Sequence, residues 1–413
     1  MVGGSEMKTI EKQVVDNEHS VGLGVKIIIF VLLTICFFIS PILSFLIATI
    51  FFSMKKESAI VSFFFGISIS FPALFYVPLM TDDAYRIFDV VQSMQNVSAE
   101  YIITWLKLWA GDYLNYPLFT ALMYFVSHHF NYTALSFIVA GITYSLITYT
   151  VWKYVRILKV NIVSKYLTLF ASLSWVSYLE TISGMRFNLA CVMALYIILE
   201  LFIFKEKYKI IDLAWLLIPL SIHPGVILII LPLFFLLILQ RGNLVVKVVS
   251  FSIFLIGGIV FISGLADSLP YVGMLKRRLT SYQSTSFGYI SSPQHIVHFC
   301  IAVLIAIISV VLMGHLQKER ISQNFLYTMQ YKMSSIYLVY FLITVLSLSF
   351  GMRLAMILPI LFILIISSST SSLLLTQQKT FANSILVFLI ISGLAYNINV
   401  LDINFYNINL FFI

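Results

Sequence analysis

Residues 185–204 read MRFNLACVMALYIILELFIF. At 1.5 Å per residue, a helix of this length spans about 30 Å, the thickness of a bilayer's hydrocarbon core. Between Arg186 and Glu200 it carries no charge, and apolar side chains occupy every side of the helix rather than one stripe. A helix apolar all round belongs in a core or a membrane. Comparable runs recur at about 59–79, 133–152, 162–179, 245–264, 295–314, 333–350, 352–372 and 382–398.

Composition extends this reading to the whole chain. Of its 413 residues 61% are hydrophobic and 10% charged, with a mean hydropathy of +1.01. A soluble domain carries about 25% charged residues, and a single water-soluble core stops growing near about 250–300 residues. The expected fold is therefore an all-α, polytopic helical integral membrane protein. A nucleotide-fold enzyme, a secreted disulfide scaffold and a DNA-binding module are excluded. So is a β-barrel, whose strands alternate in polarity. The net charge of +8 first reflects Lys and Arg retained on the cytoplasmic side. Cys36, Cys191 and Cys300 lie far apart inside apolar runs, which reads as small buried hydrophobes rather than a disulfide framework or zinc site. Residues 1–25 are polar, and the apolar run after them exceeds signal length, so no cleavable signal peptide is expected.

Two further runs are longer and interrupted by proline: 27–53 at Pro41, and 211–239 at His223-Pro224-Gly225. Basic residues flank each at both ends, Lys26 with Lys55 and Lys56, then Lys209 with Arg241. Each reads as a pair of short helices returning to the same side; one long kinked helix is the alternative. This gives about 11–13 transmembrane segments. The expected order is a cytoplasmic segment 1–25, a membrane domain 26–398 and an outer-side tail 399–413. Inner loops then hold 18 of the 25 Lys and Arg, as the positive-inside rule requires.

The identity of the bases carries separate information. The seven outer ones are Arg86, Lys107, Arg186, Lys276, Arg277, Arg278 and Arg353, whereas only Arg156, Arg241 and Arg320 are arginines among the inner 18. Topology does not distinguish Lys from Arg, but recognition of a diphosphate does. A guanidinium offers a rigid bidentate fork and an ammonium a point charge. The outer face is expected to hold an anion. Its long loop, about 80–132, opens Thr81-Asp82-Asp83-Ala84-Tyr85-Arg86 and then carries Tyr101, Trp105, Leu108 and Trp109 at helical spacing. These residues predict interfacial helices lying on the outer leaflet. A second outer loop, about 265–294, carries Lys276, Arg277, Arg278 and Tyr282.

No phosphate-binding glycine loop, His-Glu-x-x-His, Cys-x-x-Cys or Gly-x-Ser-x-Gly is present. The chemistry falls to polar residues at outer helix ends. Arg186 and Arg353 both follow Gly-Met and are expected at helix starts, where helix amino termini would reinforce an anion site; snorkelling to lipid headgroups is the plain alternative. His223 breaks an apolar run and reads either as a structural histidine or as a proton acceptor or phosphate contact. Asp82 and Asp83 read as a solvated helix end, or as a general base or sugar-hydroxyl ligand. Glu200 reads as paired with Lys205, His295 and His298 as capping a helix, and His128-His129 as interfacial.

In this order the motifs resemble the EpsG-like branch of the Wzy polysaccharide polymerases. The matching elements are Thr81-Asp82-Asp83-Ala84-Tyr85, Tyr116-Pro117-Leu118-Phe119, Met185-Arg186-Phe187-Asn188-Leu189-Ala190, Ser221-Ile222-His223-Pro224-Gly225 and Arg353, across about 59–370. Two departures stand out: Tyr116 occupies the place of an acid, and Asn188 follows Arg186 only after Phe187. The resemblance implies an enzyme of the bacterial cytoplasmic membrane. It would join undecaprenyl-diphosphate-linked repeat units into O-antigen, capsule or exopolysaccharide at the outer face, with polyprenyl diphosphate leaving. His223, Asp82 and Asp83 would be catalytic; Arg186, Arg353, Arg277, Arg278, Tyr85, Asn188 and Tyr282 would bind substrate. It implies no cofactor, metal or nucleic-acid partner, since arginines can stabilise the leaving diphosphate, but does imply a flippase and a chain-length regulator as partners. The rival classes are a lipid-linked oligosaccharide flippase, which would favour polar groups at the bilayer midplane, and another outer-face transferase such as an O-antigen ligase or acyltransferase.

Overall fold

The computed structural model describes residues 23–53, 58–80, 82–204, 210–227, 229–233, 236, 293–318, 325–343, 348–371 and 376–403. Over these the protein is an all-α polytopic membrane protein, and no β-strand forms among the described residues. The outer-loop candidates Arg277, Arg278 and Tyr282 lie outside the described residues.

The first apolar run forms two helices, α1 (Leu23–Ile39) and α2 (Pro41–Ser53). The hydroxyl of Ser44 donates to the carbonyl of Leu33, 3.4 Å away and eleven residues back. A continuous helix would hold these positions about 16 Å apart, so the chain folds back at Ser40-Pro41. Next comes α3 (Ser58–Ser70), extended by a 3₁₀ turn over Phe71–Phe75.

The stretch after it forms α4 (Asp83–Met94), α5 (Ile102–Trp109), a 3₁₀ turn at Gly111–Asn115 and α6 (Pro117–His129). Along α4 the residues Ala84, Ile87, Phe88, Val91 and Met94 are buried at helical spacing. On α5 only Leu106 is buried, while Tyr101, Ile103, Leu108 and Trp109 stand exposed. Such a helix suits the membrane interface, where aromatic rings are stable between lipid and water.

Among the described residues four helices are long and apolar enough to cross a bilayer: α7 (Ala134–Ile157), α10 (Met185–Leu199, continued by a π-turn over Glu200–Phe204), α12 (Pro293–Lys318) and α16 (Thr376–Ile403). Between them lie α8 (Ile162–Trp175), α9 (Tyr178–Ser183), α11 (Leu217–Ile222), α13 (Phe325–Ile343), α14 (Leu348–Ala355) and α15 (Leu358–Ser368). The expected single span at 162–179 is thus two helices with a break at Val176-Ser177, and the span at 352–372 is cut by a turn at Met356-Ile357.

The tightest seam joins α3 to α7. A Cβ on Gly66 would sit 2.0 Å from Ser145 Oγ and 2.3 Å from the carbonyl oxygen of Gly141, so the two backbones touch there. Small residues permit this approach between membrane helices. Every residue of α15 is buried, and α7, α8, α12, α13, α14 and α16 pack against it; it is the centre of the bundle.

One end of the bundle is fastened by polar groups. Tyr154 and Ser368 share a 3.0 Å hydrogen bond, Ser368 donates to Gln330, and Ser371 donates to the carbonyl of Leu158. The serine run ends α15 and also binds it to its neighbours. Glu200 accepts from Lys153 at 2.6 Å. Lys153 comes from the neighbouring α7; Lys205, the partner expected from sequence, lies outside the described residues. Cys36 and Cys191 are buried as expected, whereas Cys300 is exposed on α12.

Candidate functional site

At the opposite end of the bundle the chain leaves α3 and turns into α4. Asp82, 5% exposed, accepts from the Tyr76 hydroxyl at 2.6 Å and from the Leu79 backbone N–H at 2.9 Å, both on Oδ2. Its carboxylate shapes the turn that launches α4. Asp83 pairs with Arg86 one helical turn on, a surface ion pair of a kind that contributes only about 0–1 kcal/mol. Tyr85 is exposed beside them. Both aspartates are therefore committed to local partners.

The 3₁₀ turn before α6 presents Tyr113 and Tyr116 as a pair of rings 6.3 Å apart, and Phe119 follows on α6. Arg186, second residue of α10, lays its guanidinium on this surface: its central carbon is 4.5 Å from the ring centre of Tyr116, 5.1 Å from Tyr113 and 6.0 Å from Phe119. Cation–π contacts of this type contribute about 0.5–2 kcal/mol. Among the described residues Arg186 makes no hydrogen bond and no ion pair. The rings hold the guanidinium by its face, which leaves its edge of N–H donors to a ligand. A snorkelling arginine would instead extend away from the bundle. Burial raises the pKa of Tyr113, against the opposing pull of Arg186, so its hydroxyl stays protonated.

His223 arrives from another part of the chain. It ends α11 in extended conformation, before a 3₁₀ turn over Pro224–Val226. Its ring stacks on Tyr116 at 5.5 Å and 19° and meets Phe187 edge to face at 5.5 Å. Arg186 and His223, expected separately from sequence, thus meet on Tyr116. His223 Nδ1 accepts the Gly225 N–H at 3.1 Å. A neutral ring with Nδ1 so filled carries its proton on Nε2, an assignment made from this hydrogen bond. That edge is a donor.

Asn188 is also buried, and its Nδ2 has no hydrogen-bond partner among the described residues.

Glu180 was not singled out from the sequence. It lies on α9, whose amino terminus is capped by Ser177 Oγ accepting from the Glu180 N–H. Ser177-Tyr-Leu-Glu180 is the Ser-x-x-Glu signature of a helix start, a signal that also marks the break in the 162–179 run. The carboxylate does not return to close that cap. Gly184, where α9 meets α10, would place a Cβ 3.3 Å from Glu180 Oε2, so a larger residue would crowd it. Burial raises the pKa of Glu180; Arg353 pulls it down, and Asp83 and Asp82 push it further up. Those three charged groups therefore lie within electrostatic reach of Glu180.

Arg353 differs from the expectation drawn for it. It sits in the last turn of α14, not at a helix start, because Pro359 opens a separate helix beyond the turn at Met356-Ile357. Helix carbonyl ends favour a cation, so no amino-terminal dipole adds to an anion site at Arg353.

Two side chains lock this end together. Asn397 on α16 accepts the Tyr178 N–H at 2.8 Å and donates to the carbonyls of Ser174 at 2.8 Å and Gly393 at 3.0 Å. It thereby caps both sides of the α8–α9 break. Trp175 donates to the carbonyl of Ala355 at 2.9 Å, which ties the Arg353 segment to the same break. His298 does not cap its helix; it is buried between Trp175 at 4.3 Å and Tyr396 at 3.8 Å.

The end of the bundle thus combines a ring-mounted guanidinium, an imidazole donor and a sheltered carboxyl, a set suited to holding an anionic leaving group beside a proton acceptor. Residues 85–411 match the family model of the EpsG family. No curated protein and no solved structure matches the chain.

Proposed function

The chain belongs to the EpsG family, and from that premise we propose that it polymerises lipid-linked oligosaccharides. Membership supports a polysaccharide-polymerase-like role in the membrane. The finer reading is that the donor is a glycan repeat unit on undecaprenyl diphosphate at the outer face of the bacterial cytoplasmic membrane. The acceptor is a second lipid-linked repeat. A hydroxyl of the acceptor sugar attacks the donor's anomeric carbon, and the C–O bond to the diphosphate breaks with its electron pair on the leaving oxygen.

The observation that carries this reading is Arg186, whose guanidinium is fixed by the faces of Tyr113 and Tyr116 without an acidic partner among the described residues. A planar fork held in advance suits the two phosphates of a diphosphate. Because it is ordered before the substrate arrives, charge developing on the leaving group meets donors already in place. The His223 ring, stacked on the same Tyr116, adds a polar group beside it. Arg353 adds positive charge to the same end.

Polar groups gathered at one end of the bundle suit surface chemistry better than transit of a glycan, which would need them near the midplane. The test is deletion of the gene followed by electrophoresis of the surface glycan. Loss of a polymerase leaves single-repeat glycan, and complementation restores the ladder. Lipid-linked polymer that accumulates unattached would identify a ligase instead, and absence of outer-face intermediates would identify a flippase.

A further inference from the structure

We propose that Glu180 is the general base that takes the proton from the acceptor hydroxyl. The assignment rests on the polymerase reading above and adds to it the catalytic group that the sequence placed at His223, Asp82 or Asp83.

The geometry of the four acids and bases decides between them. Asp82 has one oxygen filled by Tyr76 and Leu79. Asp83 is paired with Arg86 on the surface. His223 has its Nδ1 lone pair filled by Gly225, so its other nitrogen already bears a proton and cannot take one. Glu180 alone of these carries a carboxyl with no hydrogen bond or ion pair among the described residues. It is half-buried, and only the Gly184 corner between α9 and α10 separates its helix from that of Arg186, six residues on. The leaving-group site and the proton acceptor are thereby built into one corner.

Desolvation makes this carboxylate a stronger base than one in water. The groups around it are Asp82 and Asp83 beside α4, Arg353 from α14, and Tyr144 of α7, which bonds Thr181 on the same helix. The two aspartates oppose its ionisation, and Arg353 favours it. In the step, the acceptor O–H bond breaks and its proton passes to Glu180 Oε. The oxygen forms the new glycosidic bond, and the diphosphate leaves with the electron pair of the old one. Glu180 then returns the proton to water.

The experiment uses the full-length protein in lipid nanodiscs with the lipid-linked single repeats extracted from a strain deleted for this gene. Glu180→Gln keeps the shape of the side chain. It is expected to bind the lipid-linked repeat as wild type does while polymer formation falls about 10²–10⁴-fold. The wild-type rate is expected to fall as pH drops through the raised carboxyl pKa, and that acid limb is expected to vanish in the residual rate of Glu180→Gln. Arg353→Gln removes the charge that favours ionisation, so its acid limb moves to higher pH, whereas Arg353→Lys leaves it in place. A Glu180→Gln variant that polymerises at the wild-type rate, or an acid limb unmoved by Arg353→Gln, overturns the assignment while the polymerase reading stands. Wild-type protein that fails to extend the repeats overturns both.

Discussion

At the residue scale, Arg186 separates two readings that charge alone does not. An ammonium keeps the charge and still reaches a lipid headgroup, but it loses the planar fork and the stacking on Tyr113 and Tyr116. A charge-assisted hydrogen bond is worth about 1.5–3 kcal/mol, so Arg186→Lys is expected to slow polymerisation roughly 10- to 150-fold at normal membrane expression. A full-length glycan ladder from this variant would remove the diphosphate clamp. Arg353→Lys is expected to be milder, because Arg353 acts on Glu180 through charge, and an ammonium supplies that. For His223, the Gly225 hydrogen bond predicts a donor role. His223→Gln should therefore cost no more than one hydrogen bond and should leave the pH profile unchanged, as read from rates across pH 5–9. A base with an ordinary imidazole pKa near 6.5 would instead lose its acid limb. The sequence made His223 conspicuous because it interrupts an apolar run, and Arg186 because it follows Gly-Met where a helix was expected to start. Glu180 was hidden because a carboxylate near a helix start reads as a cap, and only its surroundings show that it caps nothing.

At the scale of elements, the bundle depends on two contacts that spacing does not encode. The break between α8 and α9 leaves the carbonyl of Ser174 and the N–H of Tyr178 without helical partners, and Asn397 satisfies both. Unsatisfied buried groups cost about 1–3 kcal/mol each. Asn397→Leu should therefore lower the thermal midpoint of the detergent-solubilised protein, and it should reduce activity more than unfolding accounts for, since the same break carries Glu180. Equal loss of folded protein and of activity would make the clamp purely structural. The α3–α7 seam makes a second prediction. Because a Cβ on Gly66 meets the backbone of Gly141 as well as the Ser145 hydroxyl, Gly66→Ala should sharply reduce folded protein, and Ser145→Gly should not rescue it. The run 27–53 was legible as a helical hairpin from its flanking lysines. The division of 162–179 was signalled only by Ser177-Tyr-Leu-Glu180, which the length of the apolar run overrode.

At the scale of the whole molecule, orientation follows from the distribution of lysine and arginine. Single cysteines at 80–132 and 265–294 should react with a membrane-impermeant thiol reagent in intact cells, whereas those at 153–161 and 315–332 should not; labelling at 315–332 would reverse the arrangement. The sequence by itself determined that this chain forms membrane-embedded helices, because inside a bilayer each segment must satisfy its backbone hydrogen bonds within itself, and a run of about 20 apolar residues states that locally. It also marked Arg186 and Arg353 as a pair, since both follow Gly-Met. The tertiary structure decided which charges meet. Lys153 and Glu200 pair across 47 positions, Asn397 reaches Tyr178 across 219, and Arg353 faces Glu180 from a helix end where a helix start was expected. Such partners are fixed by how helices pack, and packing depends on shapes contributed by distant segments at once, which no local spacing contains.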